Sequence, residues 1–344
     1  MSYKTNSDTI QFDQEQRNQI SAAAAILDNG GIVAFPTETV YGLGADATNP
    51  AAVRKVYDIK QRPADHPLIL HIGDIARMEY WSQDIPESAW ILAERFWPGP
   101  LTLILKRSRH VPDCVTGGQD TVGIRMPAHA IALALLNAIQ PGKAIAAPSA
   151  NLYGKISPTT SAHVQATLAG KVDMILDGGP CAIGLESTIV YVDHQTVSIL
   201  RPGGIAISAI ESTLNQSVIL THHNSRQAIR VSGALPAHYA PSTPLRLHTQ
   251  AEIYKLALEL AEQHFQIAVI TWSDIDPRLF STPEIRHIAM PPDPVEYGKQ
   301  LYAVLHRCDQ LGLDFILMES PPQKPAWLAV ADRLQRASHP YLKT

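Results

Sequence analysis

Ile32-Val33-Ala34-Phe35-Pro36-Thr37-Glu38-Thr39-Val40-Tyr41-Gly42-Leu43-Gly44-Ala45-Asp46-Ala47 begins as a short apolar run and breaks at a proline into hydroxyls and glycines. Four apolar residues bounded by Gly31 and Pro36 read as a buried strand. Upstream, Asp13 with Gln16 three residues on, then Ile20, Ala23, Ala24 and Leu27 before Gly30-Gly31, reads as a helix with its own start and stop. A helix feeding a buried strand that ends in a polar turn is the unit of an α/β sheet. Gly42 to Ala47 matches the GxGxxA dinucleotide fingerprint, but six residues separate it from the strand and Asp65, the acid at the expected distance, sits in a proline-flanked turn. That context argues against a nicotinamide or flavin site, and the glycines are expected to turn the backbone sharply.

Beyond it, Thr48 to Ile59 reads as a helix with an Asn49 cap and Pro50 at its first position. Its apolar stripe is Val53, Val56 and Tyr57, and Lys60 continues that stripe inward. A cation there either complements the helix dipole or awaits an anion. Lys60 to His71 then places Lys60, Arg62, His66 and His71 around Pro63 and Pro67 before a strand over Leu68 to Ile72.

The alternation continues. Helices are expected at 86–97, 128–139 and 160–168, and strands at 101–105, 121–126, 144–147, 172–176, 187–192 and 197–200. Thr37, Thr39, Arg125, Ser149, Asn151 and Arg201 fall at or just beyond strand carboxyl ends, where open α/β sheets bind ligands. Residues 213–243 read as a linker, and His222-His223 within it lacks a second cluster at metal-ligand spacing. From Pro244 the pattern restarts: strands at 245–247, 267–272 and 315–318, helices at 252–264, 295–311 and 327–337. The expected organisation is a first domain over 1–212, an open twisted mixed sheet with helices; the linker over 213–243; and a smaller Rossmann-like α/β C-terminal domain over 244–344.

With 45% hydrophobic and 17% charged residues the 344-residue chain reads as soluble and globular, and its length suits two domains. Met1 to Asp8 lacks a secretory pattern, which leads to the expectation of a cytoplasmic protein without membrane association. Cys114, Cys181 and Cys308 fit reduced thiols. Net charge is −4, with 16 basic and 20 acidic residues up to Ser212 and 12 of each after it, so bulk nucleic-acid binding is disfavoured. No GxSxG, zinc or Walker A pattern occurs. Fixed cations with many neutral donors suit anionic small molecules held by charge-assisted hydrogen bonds, and ATP with an amino acid is one such combination.

Pro36-Thr-Glu-Thr-Val-Tyr-Gly-Leu-Gly44, Lys60-x-Arg62-Pro63 with His66-Pro67-Leu68 and His71, Gly123-Ile-Arg125-Met-Pro127, Pro148-Ser-Ala-Asn151, Glu186-Ser-Thr188 and Leu200-Arg-Pro-Gly203 resemble, in order and spacing, the YrdC-like family. With His238-Tyr-Ala-Pro241 closing the linker, the chain is similar to that family's long, two-domain threonylcarbamoyl-AMP synthases. The resemblance implies that L-threonine, bicarbonate and ATP, with Mg2+, give threonylcarbamoyl-AMP and pyrophosphate. It implies a product passed to the tRNA threonylcarbamoyl transferase machinery for N6-threonylcarbamoyladenosine at position 37, with any tRNA contact indirect. By motif, Thr39, His71, Arg125, Ser149 and Ser187 would hold threonine and its carbamate. Arg62, His66, Thr121, Asn151, Thr159 and Arg201 would hold ATP, and Lys60, Arg62, Ser149 and Asn151 would form the catalytic tetrad, with no metal-ligating residue. The chain departs in two places: His66 stands where members often carry Asn, and no basic residue lies between Gly233 and His238. Two other readings remain: a non-catalytic double-stranded RNA/tRNA-binding or ribosome-assembly factor, and a carbamoyltransferase of hydrogenase maturation, against which missing CxxC pairs count.

Overall fold

The computed structural model describes residues 12–221, 229–233, 237–274 and 281–339. Met1 to Asp8, His222-His223 and linker residues 234–236 lie outside them. The first sheet is built from β1 (Val33–Phe35), β2 (Gly42–Asp46), β3 (Ile69–His71), β4 (Leu101–Lys106), β5 (Thr121–Arg125), β6 (Ile145–Ala146), β7 (Met174–Ile175), β8 (Thr188–Val192), β9 (Val197–Arg201) and β10 (Ile219–Leu220). Its order is β10-β9-β8-β4-β5-β3-β6-β2-β1-β7. Pairs such as β3/β5 and β4/β8 are parallel while β1/β2, β3/β6 and β8/β9 are antiparallel, so the sheet is mixed.

Around it lie α1 (Gln14–Asp28), α2 (Pro50–Lys60), α3 (Met78–Trp81), α4 (Glu87–Phe96), α5 (Asp113–Thr116), α6 (Ala130–Ala138), α7 (Ser161–Leu168) and α8 (Ile207–Leu214). The caps are those the sequence offers: Asp13 and Gln16 form a capping box on α1, and Asn49 accepts from Ala51 and Ala52 on α2. One core gathers Tyr41, Leu43, Val56, Leu70, Trp81 and Val190; another holds α1 and α6 on the sheet through Leu27, Phe35 and Leu135. Removing this much apolar surface from water supplies the main drive for folding.

One expectation is corrected here. Gly42 and Gly44 do not turn the chain; they lie within β2, paired antiparallel with β1. A Cβ on Gly44 would meet Ile145 Cγ2 at 2.8 Å and the Phe35 ring at 2.9 Å, so glycine is needed for close packing. The turn is made earlier, by Thr37, whose Oγ1 donates to Val40 O at 2.6 Å and accepts from the Thr39 and Val40 amides.

Helix α8 runs to Leu214 and β10 adds to the first sheet beside β9, so ordered secondary structure extends into the stretch after residue 212. The second sheet has β11 (Leu245–His248), β12 (Ile267–Thr271), β13 (Ile285–Ala289) and β14 (Phe315–Glu319) in the order β11-β14-β12-β13, every pairing parallel. Helices α9 (Gln250–Glu262), α10 (Pro294–Asp309) and α11 (Leu328–Ala337) accompany it. The two bodies share one apolar cluster, in which Val40, Ile156, Leu185 and Tyr239 pack against Tyr297, Leu301, Tyr302 and Val330. Gly298 in α10 makes the approach possible, because a Cβ there would meet Leu185 Cδ1 at 2.8 Å. Among the described residues no helix is long and apolar enough to cross a membrane.

Candidate active site

Helix α2 ends at Gln61, a non-glycine residue with φ of 53°, and this left-handed stop lets both flanking cations enter the protein. Lys60 is 1% exposed. Its Nζ donates to Ser149 O at 2.6 Å and to Asn151 O at 2.5 Å. Burial, then the neighbouring Arg62, push its ammonium well below the ordinary lysine value. Arg62 donates to Pro67 O at 2.9 Å, and its guanidinium lies 5.6 Å from the centre of the Tyr153 ring.

Thr39, His71, Arg125, Ser149, Ser187 and Arg201 line one cavity of about 470 Å3, counting its open mouth. Arg125, the last residue of β5, donates to Thr39 Oγ1 at 2.9 Å and to Gly99 O at 3.3 Å. Its Nη2 is 2.7 Å from Glu38 Oε1, an ion contact whose angles do not make a hydrogen bond, which leaves that nitrogen and both Glu38 oxygens buried without one. His71 ends β3 with Nδ1 3.2 Å from Ile69 O. Burial and then Arg125 lower its pKa to about 3, so it meets a ligand as a neutral imidazole. Arg201 ends β9 and donates through Nη2 to Ser187 O at 2.9 Å and to Ser187 Oγ at 3.1 Å, while Nη1 reaches Ser232 O at 2.9 Å.

The remaining expected residues lie around this centre. Asn151 donates to Leu152 O and Lys155 O, while its Oδ1 is buried with no hydrogen-bond partner among the described residues. His66 is half-buried, its Nδ1 2.8 Å from Tyr153 Oη. Thr121 lines an adjoining apolar recess with Ile69, Ile104, Ile189 and Val231. Lys60, Arg62, His66, Asn151 and Thr159 are in neither lining; Thr159 is buried against His163, whose Nδ1 lies 3.4 Å from its hydroxyl.

Glu186, Ser232, His238 and Tyr239, none with an expected role, also form part of the cavity wall. His238 is buried, and burial followed by Arg62, Lys60, Arg201 and Arg333 holds its pKa far below the histidine norm. Arg333, one of these cations, is itself paired with Glu186 and Asp332. Tyr239 has φ of 62° and a buried hydroxyl without a hydrogen-bond partner among the described residues. The His-Tyr-Ala-Pro motif carried this signal in the sequence. Among the described residues no group of three or more His, Cys, Asp or Glu is assembled to hold a metal.

Residues 25–203 match the Sua5, YciO and YrdC family model, described as "Telomere recombination", and residues 205–339 match the Sua5 C-terminal model, described as "Threonylcarbamoyl-AMP synthase, C-terminal domain". Threonylcarbamoyl-AMP synthase of Pyrococcus abyssi is 40% identical over 93% of this chain and 94% of its own, and that of Bacillus subtilis 40% identical over 93% of each. The crystal structure of P. abyssi Sua5 complexed with L-threonine superposes with a TM-score of 0.84 at 39% identity, covering 94% of both chains. The chain therefore belongs to the Sua5, YciO and YrdC family, in the two-domain form that carries the threonylcarbamoyl-AMP synthase C-terminal domain.

Proposed function

We propose that this protein is a threonylcarbamoyl-AMP synthase. The threonine amine takes up bicarbonate with loss of water to give a carbamate. A carbamate oxygen then attacks the α-phosphorus of ATP, and pyrophosphate leaves. The observation that carries this reading is the single cavity where Arg125, Thr39, His71, Ser149, Ser187 and Arg201 face one another, in a chain 40% identical to synthases over nearly its whole length.

Arg125 is the carboxylate anchor for threonine, since a guanidinium can fork a carboxylate and Arg125 lines the cavity beside Thr39. Thr39, Ser149 and Ser187 orient the amine and carbamate, and neutral His71 adds a hydrogen-bonding group without a charge. Arg62, Arg201 and His66 face the nucleotide phosphates, with Thr121 and the apolar recess beside them for the base. Lys60 and Arg62 offset charge as pyrophosphate departs, and Lys60 also fixes the Ser149–Asn151 loop. Mg2+ binds mainly through substrate phosphates and keeps few protein ligands. The ion would neutralise phosphate charge there, with no protein ligand assigned to it. Holding three reactants together supplies much of the rate.

Ser232, His238 and Tyr239 cover the substrates from the linker side, since all three form part of the cavity wall. The adenylate is passed on to the transferase machinery that modifies tRNA, with no direct tRNA contact required. The test is pyrophosphate release with each substrate omitted in turn: release must need threonine, bicarbonate and ATP together.

A further inference from the structure

Glu186 presents a carboxylate to a cavity meant for anions, yet its oxygens are fully engaged. Ser157 Oγ donates to Oε1 at 2.6 Å, Tyr302 Oη lies 3.0 Å from Oε2, and Arg333 Nε donates to Oε2 at 2.7 Å. Tyr302 and Arg333 belong to α10 and α11, beside the second sheet. Arg333 is completely buried, and its Nη2 also donates to Pro202 O at 3.0 Å. The face of its guanidinium lies 5.1 Å from the centre of the Tyr239 ring.

These contacts touch the neighbours of two expected ligands. Glu186 precedes Ser187, and Pro202 follows Arg201, the pair joined by Arg201 Nη2 to Ser187 Oγ at 3.1 Å. We infer that Arg333 is a positioning residue contributed by the C-terminal body: it holds Glu186, Pro202 and Tyr239 in one arrangement and so fixes Ser187 and Arg201 toward threonine and ATP. Its guanidinium is shared between Glu186 and Asp332, whose Oδ2 lies 2.5 Å from Nη1, and so offsets a Glu186 charge that would otherwise repel phosphate and carboxylate. Burial works against the Glu186 carboxylate, but Arg333 and Arg201 beside it hold it ionised below the usual range. The inference rests on the synthase reading and goes beyond it by giving the C-terminal body a part in substrate binding.

Breaking a buried pair from one side is destabilising, whereas removing both charges is often neutral. The test therefore uses Arg333→Met, Glu186→Gln and the double variant, with Val330→Ala as a packing change on the same helix. Melting temperature and the threonine and ATP dependence of pyrophosphate release are measured for each. The expected result is that the double variant recovers most of the melting temperature lost by Arg333→Met, yet keeps KM for threonine and ATP at least tenfold above wild type. Val330→Ala should lower the melting temperature without moving either KM. A double variant with wild-type KM values would overturn the proposal and leave the pair a structural one. If Arg333→Met does not fold, the double variant and Arg333→Lys carry the test, Lys keeping the charge without the fork. Wild-type protein that releases no threonine-dependent pyrophosphate counts against the synthase reading instead. Arg333 is then judged by calorimetric binding of L-threonine and ATP, with unchanged affinity in the double variant overturning the inference.

Discussion

Lys60 Nζ and the carbonyl oxygen of Ser149 are 2.6 Å apart across 89 residues of sequence, and the same ammonium holds Asn151 O. One side chain thus ties the end of α2 to the loop after β6. Lys60→Met is expected to lower the rate of pyrophosphate release by about 10²-fold or more, as loss of an aimed charge donor does. Lys60→Arg should not restore it, because a planar fork cannot occupy the ammonium's place between two carbonyls. Steady-state kinetics decides, and near wild-type turnover in either variant would refute the role.

Arg125 is the second lever. Arg125→Ala should weaken L-threonine binding by roughly 2 to 5 kcal/mol, or about 30-fold at least. Arg125→Lys should recover only part of this, since the fork is lost. Calorimetric titration with L-threonine measures it, and undiminished affinity in Arg125→Ala would exclude a carboxylate contact.

Stability should fall in mild acid. His71 is held at about 3 by burial and then Arg125, and His163 at about 4 by burial and then His306. Below pH 6.5 the unfolded chain takes up protons at these positions that the folded chain does not. Their contribution is therefore complete above pH 6.5 and is lost as pH falls, toward 4 for His163 and toward 3 for His71. For His71 alone the slope approaches roughly 1.4 kcal/mol per pH unit. Urea midpoints at several pH values should show a shallower decline for His71→Gln, and an unchanged slope would contradict the buried neutral imidazole.

Gly233 has φ of 79°, and a Cβ there would collide with Tyr239 Oη. Gly233→Ala should cost about 1 to 2 kcal/mol in backbone strain. It should lower turnover by roughly tenfold or more through displacement of Tyr239. Melting curves and kinetics on the same sample check both, and full activity would show that Tyr239 need not sit where it does.

Much of this was legible because the period of apolar residues is a direct readout of burial. Val53, Val56, Tyr57 and Lys60 form one stripe, and the structure buries all four. The cavity's hydroxyls and arginines were legible as polar residues beside buried strands. Strand β13 was not, because it is an edge strand with only Ile285 buried and no clean alternation. Gly42 and Gly44 were read as a turn because their packing partner, Phe35, becomes visible only once β1 and β2 pair. Arg333 carried the same signal as Lys60, standing three residues after Val330 and next to Leu334 on the inward face of α11. What the sequence could not show was its partner Glu186, which lies 147 residues away.

The most direct test of the central claim is mass spectrometry of a short incubation of the purified protein with ATP, Mg2+, bicarbonate and L-threonine, alongside serine in place of threonine and the Lys60→Met variant. The account predicts a threonylcarbamoyl-AMP mass with matching pyrophosphate, dependent on threonine and bicarbonate and absent from the variant. ATP turnover indifferent to threonine or bicarbonate, or no adenylate from wild-type protein, would contradict it.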